Sequence, residues 1–263
     1  MKTASRWTAQ NWSLIKKTIP VGGLRPPTLI SGEMKKMNKT NQNIDWARYS
    51  WNPVTGCRFG CPYCYARDMA TRFYGHFNPT FHSDRLDYPK NTKYRQSTNP
   101  GDSCVFTCSM GELFGEWVPQ DWINAVMTVV RENPQWDFLF LTKNPSRLPE
   151  IDFPWNTWVG TTVDTQSRVE AAETAFEKVK APVKFISCEP LLERITFNHL
   201  SLFNWIILGG CSKNTKQPGS QPEPEWVDHL VNQAREARCK IYFKPNLKAI
   251  PEGMPRLKEF PVL

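Results

Sequence analysis

From Asn43 onward, short apolar runs rich in β-branched and aromatic residues alternate with amphipathic stretches. This alternation predicts an α/β fold with a mainly parallel sheet, because parallel strands are buried on both faces and are joined by helical crossovers. The predicted strands are Arg48–Asn52, Cys104–Ser109, Phe138–Thr142, Thr157–Thr161, Val183–Ser187, Trp205–Leu208 and Lys240–Phe243. The predicted helices are Tyr63–Phe73, Gln120–Glu132, Gln166–Val179 and Glu225–Ala237. Six or seven such units favour a full or partial (β/α) barrel, and a doubly wound open sheet is the alternative.

Two stretches lack the regular pattern of the rest of the sequence. Residues 1–42 carry GGLRPP and the basic run GEMKKMNKTNQN, and they predict a tail or arm before a domain at 43–263. The stretch Gly75–Gly101 has little apolar pattern and predicts a long functional loop. No apolar run approaches the roughly 20 residues of a membrane span, and the N-terminus lacks a secretory signal. We therefore expect a cytoplasmic protein without a membrane partner, whose eight cysteines are thiols or metal ligands.

Polar residues follow nearly every predicted strand. In barrels of this kind, the loops at the carboxyl ends of the strands build the active site. In chain order, these strand-end segments are NPVTGCRFGCPYC, SMGELFG, TKN, TTVDT, SCEP, GGCSKN and KPN. Helix caps and turns can explain any single segment of this type. They do not readily explain why four such segments carry a charged residue, namely Glu112, Lys143, Glu189 and Lys244. The pattern therefore predicts a functional site at this edge of the sheet.

The most specific signal is the spacing of Cys57, Cys61 and Cys64 on the first of these loops. Three thiolates on one loop near a helix start can hold iron–sulfur or zinc. A structural zinc site normally has four protein ligands, and no second CxxC or CxxH pair is present. Cys104 and Cys108 could lend a ligand, although Cys104 has the position of a small core residue. Three ligands suit a [4Fe–4S] cluster that leaves one iron open.

The motif C-x3-C-x2-C, with an aromatic residue before the last cysteine, resembles that of the radical S-adenosylmethionine (SAM) superfamily. The resemblance implies that Cys57, Cys61 and Cys64 each bind one iron, and that the amino and carboxylate groups of SAM chelate the fourth. It also implies that Tyr63 lies against the adenine. The implied fold is a full or partial (β/α) barrel with this loop after the first strand, in agreement with the pattern of elements.

The sequence also resembles a phage-associated family of uncharacterised proteins with the three-cysteine motif. The matching segments are WNPVTGCRFGCPYCYAR, FHSDRL, VFTCSMGELFGEWVP, FLFLTKNPSRL, WVGTTVDTQ, VKFISCEPLL, WIILGG and YFKP. They span about Asp45 to Pro245. The chain departs from many relatives at Cys211, where they have an acidic residue, and at Pro245–Asn246. Because those loops are expected to line the substrate pocket, substrate identity does not carry over.

We expect a set of residues around the cysteines to bind SAM. Ser109, Met110 and Glu112 follow the second strand, where radical SAM proteins hold the SAM amino group, and the Glu112 carboxylate could accept from an ammonium. The other candidates are Lys143 for a carboxylate or phosphate, Thr161, Thr162 and Asp164 for ribose hydroxyls, Glu189 at the barrel mouth, and Gly209 and Gly210 for close backbone approach. Surface lysines and turn capping are the structural alternatives.

The catalytic candidates are Cys211, Glu189 and Lys244. Cys211 could donate a hydrogen atom or act as an extra ligand, although buried inert thiols are commoner. His82 is a weaker site candidate, and Trp46 and Trp51 are expected to pack rather than to stack on bases.

Together these features predict a radical SAM enzyme that cleaves SAM reductively to a 5′-deoxyadenosyl radical, with a lyase or modification reaction as the outcome. Such an enzyme implies an electron donor such as flavodoxin or ferredoxin. The net charge of +8 favours a nucleic acid, nucleoside or modified base as substrate, while peptides and small metabolites stay open. The alternatives are a non-catalytic zinc- or cluster-holding nucleic-acid-binding protein and a degenerate barrel that partners another phage protein.

Overall fold

The structure is a computed structural model that describes residues 34–40 and 44–261. Ten strands are present in these ranges: β1 Asn38–Lys39, β2 Tyr49–Trp51, β3 Val54–Thr55, β4 Thr80–Phe81, β5 Cys104–Thr107, β6 Asp137–Thr142, β7 Thr157–Thr162, β8 Val183–Cys188, β9 Trp205–Leu208 and β10 Lys240–Phe243. The α-helices are α1 Tyr65–Tyr74, α2 Tyr88–Asn91, α3 Gln120–Glu132, α4 Val169–Phe176 and α5 Pro224–Glu236. The seven predicted strands and four predicted helices are thus confirmed, with shifts of a few residues at their ends.

Eight strands form one sheet in the order β1-β2-β5-β6-β7-β8-β9-β10. Every pair from β2 to β10 is parallel, and only β1 is antiparallel to its neighbour. The strands therefore add to the sheet in chain order, without the reversal of order that defines a doubly wound fold. The doubly wound alternative is wrong, and the α/β class with a mainly parallel sheet is confirmed.

The sheet is strongly curved although it is not closed. Five strand spacings separate β2 from β9, which in a flat sheet is a distance of about 24 Å. The indole of Trp46, just before β2, nevertheless lies 6.1 Å from that of Trp205 in β9. Both belong to one buried cluster to which every strand from β5 to β10 contributes. The inner face of the curved sheet is therefore a continuous aromatic and aliphatic core, and Trp46 packs there as expected.

The C-terminal segment lies between the first and last strands of the curve. Its Glu259 N–H donates to the Ile241 carbonyl, so the segment runs antiparallel to β10. The Lys258 ammonium lies 2.7 Å from the Asp45 carboxylate, next to the start of β2. We call this junction of β10, residues 257–260 and Asp45 the seam.

Helices and short elements cover the outer face and the site edge. In α3, Ile123, Val126, Val129 and Val130 are buried on one face, as the spacing predicts. The predicted loop Gly75–Gly101 instead contains β4, a 3-10 turn at Ser83–Arg85 and α2, because His82 and the β3–β4 pair tie it to the sheet. The predicted arm lies mainly outside the described residues, and its described part contributes β1. None of the helices in the described ranges has the length and hydropathy of a membrane span.

Candidate functional site

A cavity of about 470 Å³ opens at the carboxyl edge of the parallel strands. Its base is apolar and includes Ile44, Trp46, Phe106 and Leu141. Its polar lining comes from the loops after β2, β5, β6, β8, β9 and β10, among them the three motif cysteines, Glu112, Lys143, Glu189, Cys211 and Lys244. The strand-end segments singled out in the sequence thus meet in one place, because parallel strands direct all their carboxyl ends to the same edge.

The cysteine loop is fixed at both ends. Gly56 has a φ of +85°, and a Cβ there would lie 2.1 Å from the Asn78 carbonyl oxygen, so only glycine fits before Cys57. At the other end Cys64 is the N-cap of α1, with its thiol accepting from the Arg67 N–H at 3.4 Å. The Arg67 guanidinium also donates to the carbonyls of Cys57 and Phe59, at 2.7 and 2.9 Å. One arginine of α1 therefore fastens the loop that carries the cysteines.

Cys57, Cys61 and Cys64 all line the cavity as free, partly exposed thiols. Among residues 34–40 and 44–261, no three or more His, Cys, Asp and Glu side chains gather closely enough for one metal ion. A [4Fe–4S] cluster requires a different arrangement. Each cysteine binds a separate iron, so the three thiols stand further apart than the ligands of a single metal ion. The donor set is three thiols without histidine or carboxylate, in a partly apolar surrounding with Ala66, Ala70 and Phe77. This chemistry fits an iron–sulfur cluster better than a single ion.

Burial raises the pKa of the Cys57 thiol to about 12, with smaller contributions from the nearby Glu112 carboxylate and the other two cysteines. The thiol is therefore protonated at neutral pH in the absence of a cation. Iron would have to displace that proton, as it does for thiolate ligands in general.

Glu112 is a buried carboxylate between the loops after β5 and β6. It accepts from the Thr142 hydroxyl at 2.7 Å and from the backbone N–H groups of Phe114 and Lys143, at 2.9 and 3.1 Å. Burial raises its pKa, and these three hydrogen bonds oppose that rise. Glu112 lines the cavity, and both of its oxygens already serve to hold the two loops together.

Tyr63, Lys143 and Asp164 form a polar network across the cavity wall. The Tyr63 hydroxyl donates to Asp164, whose carboxylate also lies 3.1 Å from the Lys143 ammonium and 2.6 Å from the Arg168 guanidinium. The Lys143 ammonium stands 5.1 Å from the centre of the Tyr63 ring. Burial alone would raise the pKa of Asp164, but Lys143, Tyr63 and Arg168 outweigh burial and lower it. The network fixes the orientation of the tyrosine within the cysteine motif.

Glu189 and Lys244, from the loops after β8 and β10, form an ion pair with an oxygen–nitrogen distance of 2.6 Å. Lys244 is buried and Glu189 is partly exposed to the cavity. The Asn246 amide donates to Glu189 at 3.3 Å and to the Gly210 carbonyl at 2.8 Å. A Cβ at Gly209 would lie 2.8 Å from the Glu189 side chain, so the glycine makes room for this pair.

The loop after β9 crosses the mouth of the cavity. Cys211 is buried at its start, and its sulfur accepts from the Gln217 amide at 2.9 Å. Further along, the Asn214 amide donates to the Pro62 carbonyl at 2.7 Å and the Thr215 hydroxyl donates to Asp68. The loop therefore spans from the glycine pair to the cysteine loop and α1.

A family model matches residues 41–256, which is most of the chain. The model describes a protein of unknown function, DUF5131. The chain belongs to the DUF5131 family. Neither a search of curated proteins nor a search of solved structures found a match.

Five predicted site residues of this DUF5131 protein are absent from the cavity lining: Met110, Thr161, Asp164, Gly209 and the weaker candidate His82. Asp164 instead binds Tyr63 and Lys143, which do line the cavity, and Gly209 makes room for Glu189. The Thr161 hydroxyl donates to the Thr142 carbonyl on the neighbouring strand, whereas Thr162 lines the cavity. Met110 packs against the core formed by the cysteine loop and α1. His82 contacts the Thr55 hydroxyl at 2.8 Å, which supports the cysteine loop from behind.

Other residues of the site were not assigned a role from the sequence, although most of them lie in the strand-end and motif segments singled out there. Asn52 accepts from the Met110 N–H at 2.8 Å and so joins the loops after β2 and β5. Arg67 and Asn246 fasten loops through backbone carbonyls. Tyr65 and Met69 of α1 line the cavity mouth. The only signal for Arg67 is its place three residues after the last motif cysteine, where an N-capped helix directs its side chain back over the loop.

Proposed function

We propose that the protein is a radical SAM enzyme whose sheet is a partial (β/α) barrel of the radical SAM type. The observation that carries the proposal is the meeting of Cys57, Cys61 and Cys64 with the strand-end residues of five further loops in one cavity. The order of the strands and the curvature of the sheet support the barrel interpretation.

The three motif cysteines would hold a [4Fe–4S] cluster, and the polar wall beside them would hold SAM. When bound, the cluster with SAM supplies reductive cleavage of the cofactor and thereby an oxidant able to remove a hydrogen atom from a substrate. Apart from the role proposed below for Cys211, the residues of the site would position the cofactor and the substrate and exclude water.

Tyr63 and Lys143 are the residues we expect to contact SAM. The Asp164 carboxylate accepts from the Tyr63 hydroxyl and from the Lys143 ammonium. The ammonium is thereby held beside the Tyr63 ring, which belongs to the cysteine loop. A fixed ammonium can donate hydrogen bonds to the carboxylate of SAM, and the ring offers a stacking surface for its adenine. Glu112 already accepts three hydrogen bonds, so its main role in this proposal is to hold the loops after β5 and β6 together. Ser109 also lines this part of the cavity.

Glu189, Cys211 and Lys244 line the cavity from the loops after β8, β9 and β10, and we expect a substrate to lie against them. The ion pair gives this part of the cavity a donor and an acceptor held in fixed positions by Asn246. The apolar base and the loop after β9 exclude water from it. Cys211 lines the cavity, and a role as hydrogen-atom donor to the substrate is part of this proposal.

The test begins with anaerobic purification and reconstitution with iron and sulfide, followed by reduction. We expect about four irons per chain, an electron paramagnetic resonance signal that changes when SAM is added, and slow release of 5′-deoxyadenosine. Cys57→Ala should abolish all three. Cys239→Ala is the matched control, because Cys239 is a buried free thiol at the opposite edge of the sheet.

Zinc without iron, or a cluster whose signal is indifferent to SAM, would overturn the enzyme assignment. That result would favour the alternative of a non-catalytic zinc- or cluster-holding nucleic-acid-binding protein. A positive result implies a reductant such as flavodoxin or ferredoxin. Eight free thiols and an oxygen-sensitive cluster would suit a reducing cytoplasm.

A further inference from the structure

Helix α1 carries its bulky residues on the outside. Its buried residues are Ala66 and Ala70, whereas an ordinary surface helix buries its large apolar side chains. The large side chains are exposed instead, by 46% for Tyr65, 48% for Met69, 68% for Phe73 and 75% for Tyr74. We call these four residues the α1 stripe. Tyr65, Met69 and Phe73 are each four residues apart, so they share one face of the helix.

The α1 stripe is continuous with the cavity. Tyr65 and Met69 belong to the cavity lining, while Phe73 and Tyr74 lie beyond it. The Tyr65 hydroxyl donates to the Ser109 carbonyl at 2.7 Å, which holds its ring at the mouth. Eight residues of helix separate Tyr65 from Phe73, so the stripe leads outward for about 12 Å.

Basic side chains flank the α1 stripe. Arg72 lies on α1 itself, with its guanidinium 5.7 Å from the centre of the Phe73 ring. Lys213 and Lys216 are exposed on the loop after β9, which the Thr215–Asp68 hydrogen bond ties to α1. Asp68 is the one carboxylate of α1, so the three cations outnumber it. The surface is therefore aromatic and positively charged, in a chain of net charge +8.

Exposed aromatic rings flanked by cations are the chemistry that binds single-stranded nucleic acid, through base stacking and phosphate contacts. A base must leave a duplex before it can enter a closed cavity, so a single strand also suits the cavity better than a duplex. We propose that the α1 stripe, with Arg72, Lys213 and Lys216, binds single-stranded nucleic acid and leads a base into the cavity. This inference rests on the proposed function, because it names the substrate class of the same cavity.

The test uses the reconstituted full chain and a fluorescent oligothymidylate of about 16 nucleotides. Fluorescence anisotropy gives the dissociation constant at several salt concentrations. Phe73→Ala/Tyr74→Ala should weaken binding about tenfold or more with the salt dependence unchanged, because stacking is lost and phosphate contacts are kept. Arg72→Gln/Lys216→Gln should reduce the slope of log K against log salt by about 1.4, since each phosphate contact contributes about 0.7. Trp155→Ala is the matched control, because Trp155 is 67% exposed before β7, at the opposite edge of the sheet.

Several results would overturn the proposal. Equal affinity of the Phe73→Ala/Tyr74→Ala variant and the wild type would overturn the proposal. So would equal binding of duplex and single strand, because charge alone would explain it. Loss of reduction by flavodoxin in that variant, with oligonucleotide binding intact, would assign the surface to an electron donor instead. Formation of 5′-deoxyadenosine by the wild type is assayed in the same preparation, so a wild type that cleaves SAM but binds no oligonucleotide refutes this inference and leaves the proposed function standing.

Discussion

Gly56, the residue before the first motif cysteine, gives the sharpest test of how the cysteine loop is built. Its φ of +85° costs a residue with a Cβ about 1–2 kcal/mol. The added Cβ would also lie 2.1 Å from the Asn78 carbonyl oxygen and 2.6 Å from the Pro79 nitrogen, both of which are backbone atoms. Contacts this short force the two loops apart, and overpacking of this kind costs about 1–3 kcal/mol. We therefore expect Gly56→Ala to lower the free energy of unfolding by about 2–5 kcal/mol.

Two other glycines of the same region provide matched controls. Gly75, at the end of α1, has a φ of +75° but open space around a Cβ, so Gly75→Ala should cost only the backbone strain, about 1 kcal/mol. Gly60, on the cysteine loop, also has open space and no positive φ. Gly60→Ala should leave the stability unchanged within about 0.5 kcal/mol or raise it slightly.

Urea unfolding of the wild type and the three variants, at a common m-value, measures these differences. The expected order of stability loss is Gly56→Ala, then Gly75→Ala, then Gly60→Ala. If Gly56→Ala were no more costly than Gly75→Ala, the close approach of the Asn78 carbonyl could not be what fixes the cysteine loop.

Three further predictions concern the surroundings of the same loop. Arg67→Ala removes two hydrogen bonds to loop carbonyls, so a chelator should strip iron about tenfold faster than from Arg72→Ala, and equal rates would contradict the fastening role. Lys244→Met leaves the Glu189 carboxylate without its cation and should cost about 3 kcal/mol in urea unfolding, whereas adding Glu189→Gln to that variant should recover part of the loss. Burial lowers the pKa of His82 to about 4, so protonation favours the unfolded chain and stability should fall as the pH drops from 6.5 toward 4. The expected slope of the free energy of unfolding against pH is about 0.7 kcal/mol per pH unit, since the ring is only partly buried. The His82→Gln variant should lack this slope, and parallel pH profiles of the variant and the wild type would contradict the prediction.

The sequence predicted those features of the fold that arise from contiguous residues. The strands β5 to β10 are short segments with mostly buried residues, and each pairs with the next strand in the chain, so local pattern and chain order were sufficient. The cysteine loop was likewise predicted to lie between a strand and a helix. The helix was predicted to begin at Tyr63, however, and it begins at Tyr65 with Cys64 as its N-cap.

Residues whose partners lie far along the chain were not predictable in this way. Asn246 reaches Glu189 and Gly210, and Lys258 reaches Asp45, and no local pattern announces such pairs. Thr161 and Thr162 were both predicted to meet ribose hydroxyls. The strand β7 extends to Thr162, and alternation along it directs Thr162 into the cavity, whereas the Thr161 hydroxyl donates to β6.

The seam has a consequence for the order in which this protein folds. Strands that pair with their chain neighbours form contacts of short sequence separation, which favour rapid growth of the sheet from any internal unit. The ion pair between Asp45 and Lys258 joins residues 213 positions apart and can form only when the curved sheet is nearly complete. We therefore expect contacts at the seam to be absent from the transition state. Weakening them should speed unfolding and leave the refolding rate almost unchanged, so the lifetime of the folded protein would depend on the contacts of residues 257–260.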